Sequence, residues 1–166
     1  MRMRDNLIDI YKVLTTDETL LRLLFYLPEN ANDHPLDETE ENILDKEIGE
    51  RWEIIQDRIK KTPNVSGLDE EPKCRILFYP GRRRTTGNYL VANQIIVMDV
   101  LAHYYYEDVD MRNSWICDRL NELMFDKRIT GLGKINFVDG NQISAPENYV
   151  GYRLTYAFGS SKKGSD

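Results

Sequence analysis

Residues 88–108, NYLVANQIIVMDVLAHYYYED, constrain the fold most, because they form the longest part of the chain that reads as β. In the middle, Ile96, Met98, Val100, Ala102 and Tyr104 fall on one face at period two, while Ile95, Val97, Asp99, Leu101 and His103 fall on the other. The first face is apolar and the second is mixed. Fully extended, the stretch would exceed about 60 Å, far longer than an ordinary strand, so a bulge, a bend or a projecting hairpin is expected.

The rest of the chain can be arranged around this strand. Its 166 residues, 41% of them hydrophobic, are enough to bury a core without disulfides or metal. Residues 1–159 read as a single α+β domain and 160–166, SSKKGSD, as a flexible tail. Asp5 can cap a first helix with Leu7, Ile8, Tyr11 and Leu14 at helical spacing. Thr16, Asp17, Glu18 and Thr19 then resemble a fresh N-terminus, leading into Leu20, Leu21, Leu23 and Leu24 and ended by Pro28. Residues 29–38 are polar and turn-rich. Residues 39–61 predict an extra long helix with a stripe of Ile43, Leu44, Ile48, Trp52, Ile55 and Ile59; its charged side is either a solvated face or a subunit contact.

A strand over 73–79 is predicted next, followed by a Pro80-Gly81 turn that carries Arg82, Arg83 and Arg84 at its tip. After the long strand, Asp108 or Asp110 is expected to cap a helix running through Phe125, with Trp115, Ile116, Leu120, Leu123 and Met124 inward. Gly131 and Gly133 break the chain. Strands over 134–138 and 150–158 close the fold, with a turn at Asp139, Gly140 and Asn141. In the last of them Tyr152, Leu154, Tyr156 and Phe158 share a face. The order fits an α+β fold, a mostly antiparallel sheet with a long hairpin, packed on one side by helices.

Chemistry-bearing motifs are sparse. No glycine-rich phosphate loop, HExxH, GxSxG or EF-hand pattern occurs. Cys74 and Cys117 have no ligand spacing and read as buried free thiols. His34 lies in a polar connection without companion ligands, and His103 reads as a packed strand histidine rather than a base. No catalytic, metal or cofactor site is expected, so the reading is of a protein that is not an enzyme. There is no apolar run of about 20 residues to span a bilayer and no signal-peptide h-region, so the chain is expected to stay where it is made.

The candidate contacts are therefore Arg82, Arg83, Arg84 and the run Tyr104, Tyr105, Tyr106. The arginines suit a solvated turn, an acidic protein neighbour or DNA; the net charge of −6 argues against a general nucleic-acid binder. Of ten tyrosines in the chain, the three in succession cannot all point inward.

From about Ile76 to Gly159 the order of elements resembles the tail terminator, or tail-completion and tail-to-head joining, proteins of long-tailed bacteriophages. The likeness runs through a hairpin, the strand NQIIVMDVLAHYYY, the helix WICDRLNELMF, GLGKINFVDG and the closing strand GYRLTYAFG. The extra helix at 39–61 departs from that pattern. The resemblance implies a structural virion protein of the neck, a hexameric ring subunit that caps the tail tube and joins it to the head connector. Its partners would be itself, the tail tube protein and head-completion or connector proteins, with DNA only passing through the lumen and with no cofactor or membrane. It would assemble in the host cytoplasm and reside in the virion. The alternative is a small non-enzymatic regulatory or nucleic-acid-associated binding protein using Arg82, Arg83 and Arg84.

Overall fold

The computed structural model describes residues 3–30, 32–87, 91–130 and 133–161. Two helices open the chain, α1 (Met3–Thr15) and α2 (Glu18–Phe25). Asp5, expected as a cap, lies inside the first turn of α1, where an acid still favours the helix dipole. The N-cap of α2 is Asp17, whose carboxylate accepts the Leu20 N–H at 2.8 Å. Leu20, Leu21, Leu23 and Leu24 are all fully buried, so α2 is a core helix rather than a surface one.

The predicted helix over 39–61 is not one helix. A short 3-10 turn, Ile43–Asp45, is followed by extended backbone at Lys46 and Glu47, and only then by α3 (Ile48–Arg58). Asn42 caps the turn and Glu47 caps α3, and each accepts a backbone N–H that a continuous helix would keep for itself. The break also divides the apolar stripe. Ile43, Ile55 and Ile59 are buried, whereas Ile48 is 62% and Trp52 is 41% exposed.

Arg58 ends α3, and β1 (Ile59–Lys60) pairs parallel with β2 (Cys74–Thr85). The remaining neighbours are antiparallel: β2 with β3 (Val91–His103), β3 with β5 (Tyr149–Ser161), and β5 with β4 (Asn136–Ile143). Among the described residues the sheet order is β1-β2-β3-β5-β4, which puts the long strand in the centre, as its two-faced pattern requires. Asn88, the expected start of that strand, lies outside the described residues, as does Gly131. Its far end also differs: the strand stops at His103, and residues 104–125 form α4 (Tyr104–Asp110) and α5 (Arg112–Met124). Met111 between them adopts φ 53°, a left-handed turn, which replaces the expected cap at Asp108 or Asp110.

The helices cover one face of the sheet. Ile96, Met98, Val100 and Ala102 on β3, Leu154, Tyr156 and Phe158 on β5, and Ile76 and Phe78 on β2 all point into one cluster with α1, α2, α3 and α5. The expected turn at Asp139, Gly140 and Asn141 is instead part of β4, with a register shift between Phe137 and Asp139. Of the expected tail, Ser160 and Ser161 extend β5 opposite Ala92 and Val91; residues 162–166 lie outside the described residues. Cys74 and Cys117 are free; Cys74 is buried and Cys117 is half-buried. Burial pushes both thiols up to about 12, so they stay protonated and inert.

Candidate functional site

The sheet's second face is divided in two. Near the start of β2 it is covered by residues 61–73, where Leu68 packs on Leu77, Leu101 and Tyr149 in a small second core. Arg75, also on that face, is buried against this cover and donates to Asp57 and to the Asn64 and Ser66 carbonyls. Further along, Asp99 of β3 is buried in its centre, directly opposite Arg153 of β5. Arg153 grips both Asp99 oxygens at 2.7 and 3.0 Å, and the Tyr79 hydroxyl donates to Asp99 at 2.6 Å. Burial, together with that carboxylate, pushes the Tyr79 hydroxyl up to about 12. The trio ties three strands together through an ion pair and a shared hydrogen-bond network, so it stiffens the sheet.

Beyond this trio the face is open, and the arginines lie there. Arg82, Arg83 and Arg84 are not on a loop tip: they belong to β2 itself. What the sequence pattern missed is a bulge. Pro80 pairs with Ile96 and Arg83 with Gln94, so Gly81 and Arg82 together oppose Ile95. Strict alternation from Tyr79 would have placed Arg83 on the open face and Arg82 and Arg84 inside. The extra residue reverses the parity. Arg84 now faces out beside its partner Asn93, and Arg82 lines the same cleft, while Arg83 turns to the core side and donates to the buried Gln94 amide oxygen at 2.9 Å.

Gln94 also donates from its amide nitrogen to the carbonyls of Gly81 and Ile95, holding the bulge from within. Glycine eases the close approach at its apex, because a Cβ on Gly81 would come to 3.0 Å from the Ile95 side chain, which would have to shift by a few tenths of an ångström. A second bulge on β4 at Val138 curls the opposite edge, and bulges increase local twist. Between the two edges lies a cleft of about 360 Å³, lined by Arg82, Arg84, Asn93, Ile95, Val138, Asp139 and Thr155. Two guanidinium groups over an apolar floor can take up carboxylates bidentately while burying apolar surface. Pro80-Gly81 inside a strand pattern was the one available sign of this bulge.

The tyrosines are at the other end of β3, about 33 Å away along the strand, so the two candidate groups do not form one site. They start α4 rather than ending the strand, because the His103 Nδ1 accepts the Tyr105 N–H at 3.1 Å and caps the helix. Tyr104 and Tyr105 are 44% and 63% exposed, but Tyr106 is a core residue, 1% exposed, whose hydroxyl donates to the Phe25 carbonyl. Tyr106 is therefore withdrawn as a partner contact. His34 shapes a turn, accepting the Leu36 N–H, with its ring edge on Trp115 at 5.1 Å.

The His103 cap gives a pH prediction. Burial lowers its pKa, so the neutral ring is the folded form. A group of this kind adds stability above its unfolded pKa and loses it as pH falls through the folded value. Thermal melts should therefore show stability falling as pH drops below the ordinary histidine pKa of about 6.5, while His103→Asn, which caps at any pH, should lack that step. Parallel acid profiles for the two proteins would contradict the cap.

Comparison with known proteins fits this architecture to a family. The YomW family model matches residues 17–158, from the cap of α2 to within three residues of the end of β5. The chain belongs to the YomW family. A relative, the SPbeta prophage-derived uncharacterized protein YomW of Bacillus subtilis (strain 168), is 30% identical over 161 residues, covering 92% of this chain and 94% of that protein. The YomW family model thus takes in both bulged edges, the cleft and helices α2 to α5. Among the described residues no group of three or more His, Cys, Asp or Glu side chains could hold a metal ion, and no helix is long and apolar enough to cross a membrane.

Proposed function

We propose that this YomW-family protein is a structural virion component that caps the tail tube and joins the tail to the head connector as a subunit of a ring. The observation that carries the reading is near full-length similarity to a prophage-derived protein. The element order from Ile76 to Gly159, similar to tail terminators, supports it. A sheet with half of one face and two edges left open suits a part that works by assembly. Its partners are further copies of itself, the tail tube protein and the head-completion or connector proteins, and DNA passes only through the lumen.

The test is genetic. In a phage carrying a gene of this family, an amber allele should leave filled heads and tails separate under the electron microscope, with joined particles restored by the wild-type gene in trans. Joined, infectious particles made without the protein would overturn the reading. The alternative, a small regulatory or DNA-associated protein using Arg82 and Arg84, predicts DNA binding whose affinity and salt slope both fall in Arg82→Ala/Arg84→Ala.

A further inference from the structure

The open cleft has a counterpart on the opposite side of the same chain. α3 turns Ile55 into the core, which leaves Ile48 and Trp52, one helical turn apart, pointing away from the molecule and exposed. Side by side at i,i+4, they make a small contiguous apolar patch. The segment that carries them is mildly acidic: residues 45–53 hold Asp45, Glu47, Glu50 and Glu53 against Lys46 and Arg51, a net of −2. Those two cations are also engaged locally: Lys46 lies 3.0 and 3.5 Å from Glu41 and Glu50, and Arg51 donates to the Leu44 carbonyl. Glu47, Glu50 and Glu53, all exposed, flank Ile48 and Trp52 along the chain.

The cleft has the complementary design. Its lining is apolar at Ile95 and Val138 and carries two cations, Arg82 and Arg84, against the one acid Asp139. One surface is a helix face with two exposed apolar side chains among acids; the other is a cleft whose lining combines apolar residues with two arginines and one aspartate. They lie on opposite layers of the molecule, α3 on the helix-covered side and the cleft on the open side. Each copy can therefore use both at once without obstructing itself.

We propose that copies of this chain associate head to tail, the Ile48–Trp52 face of α3 on one copy seating in the Arg82–Arg84 cleft of the next. Such a contact joins two unlike surfaces, so it propagates around a closed ring or along an open array rather than stopping at a symmetric pair. The inference rests on the joining reading for its biological setting and deepens it by naming the two surfaces. With a small apolar centre and charged rims, the contact is concentration- and salt-dependent.

Two variants, each disabling one face, provide the test: Arg82→Glu/Arg84→Glu and Ile48→Lys/Trp52→Lys, all at solvent-facing positions and both checked for native melting. In sedimentation velocity at low salt the wild-type protein should form assemblies larger than two, and each variant alone should dissociate at least about tenfold more readily. Mixing the two variants is decisive, because each retains the face the other lacks: a 1:1 pair that grows no further is expected. Variants that assemble like wild type would overturn the proposed surfaces while leaving the ring reading standing. A mixture that stays monomeric would overturn head-to-tail docking. A protein that neither self-associates nor binds tail tubes would overturn both readings. Salt-dependent duplex DNA binding lost in Arg82→Glu/Arg84→Glu, with assembly unchanged, would assign the cleft to nucleic acid instead.

Discussion

Arg112→Ala should lower the unfolding free energy by about 3–5 kcal/mol, a large part of the 5–15 kcal/mol typical of a folded domain. Arg112 is fully buried at the start of α5, yet it is fully engaged. Its Nη1 donates to the Leu23 and Tyr26 carbonyls, both at 2.7 Å, which are among the acceptors left open where α2 ends. Its Nε and Nη2 hold the Asp110 carboxylate, with the closest contact at 2.7 Å, and the guanidinium lies 5.0 Å from the Tyr106 ring centre. Removing it orphans two carbonyls and a largely buried carboxylate together. Arg112→Lys keeps the charge but not the fork and should recover only part of the loss. Urea unfolding checks this through the midpoint at constant m-value. A loss below about 1 kcal/mol would mean that the site relaxes around the gap.

Asp57→Ala should cost about 3 kcal/mol, because one carboxylate serves three nearly buried cations. Its oxygens lie 2.8 Å from the Lys73 Nζ, 2.9 Å from the Arg75 Nη2 and 3.3 Å from the Arg58 Nε. Arg58 and Arg75 keep their carbonyl partners at Leu24, Asn64 and Ser66, so the loss is mainly the repulsion among unbalanced charges. Burial by itself would raise the Asp57 pKa, but the Lys73 hydrogen bond and the charges of Lys73, Arg75 and Arg58 prevail and hold it below the usual carboxylate value. The sign follows: the stability is present above the unfolded carboxylate pKa, near 4, and is lost as pH falls through the depressed folded value. Asp57→Asn should flatten the acid limb of the stability profile below about pH 4. An unchanged acid limb would show that the cluster is not the source.

The consequences of this cluster reach the cleft. Asp57 joins the end of α3 to the start of β2 and, through Arg75, to the cover formed by residues 61–73. That cover closes half of the second sheet face and leaves the other half open, so loosening it would blur the boundary between core and docking surface. Arg75 and Lys73 read as ordinary strand charges in the sequence; their partners come from α3 and the loop, which no local pattern joins to them.

Wherever one segment's own periodicity decides its structure, the sequence was sufficient. The alternation in 96–102 and in 152–158 set the central strand pair and its core face, and the leucines of α2 with the stripe of α5 set the layer that covers it. Hydrophobic burial at period two or 3.6 needs only near neighbours in the chain to be written down. Three features depended on distant residues. The Pro80-Gly81 bulge exists because Gln94 and Ile95 receive it, and one inserted residue exchanged which arginines face outward. The helix over 39–61 broke because Asn42 and Glu47 capped two shorter pieces, exposing Ile48 and Trp52 while Ile43 and Ile55 entered the core. Tyr106 moved inside because His103 stopped the strand and a helix turned the ring toward Phe25. Composition and periodicity determined an α+β chain with a helix-covered sheet; the cleft and its acidic counterpart were decided by register, capping and burial, which only the assembled tertiary structure sets.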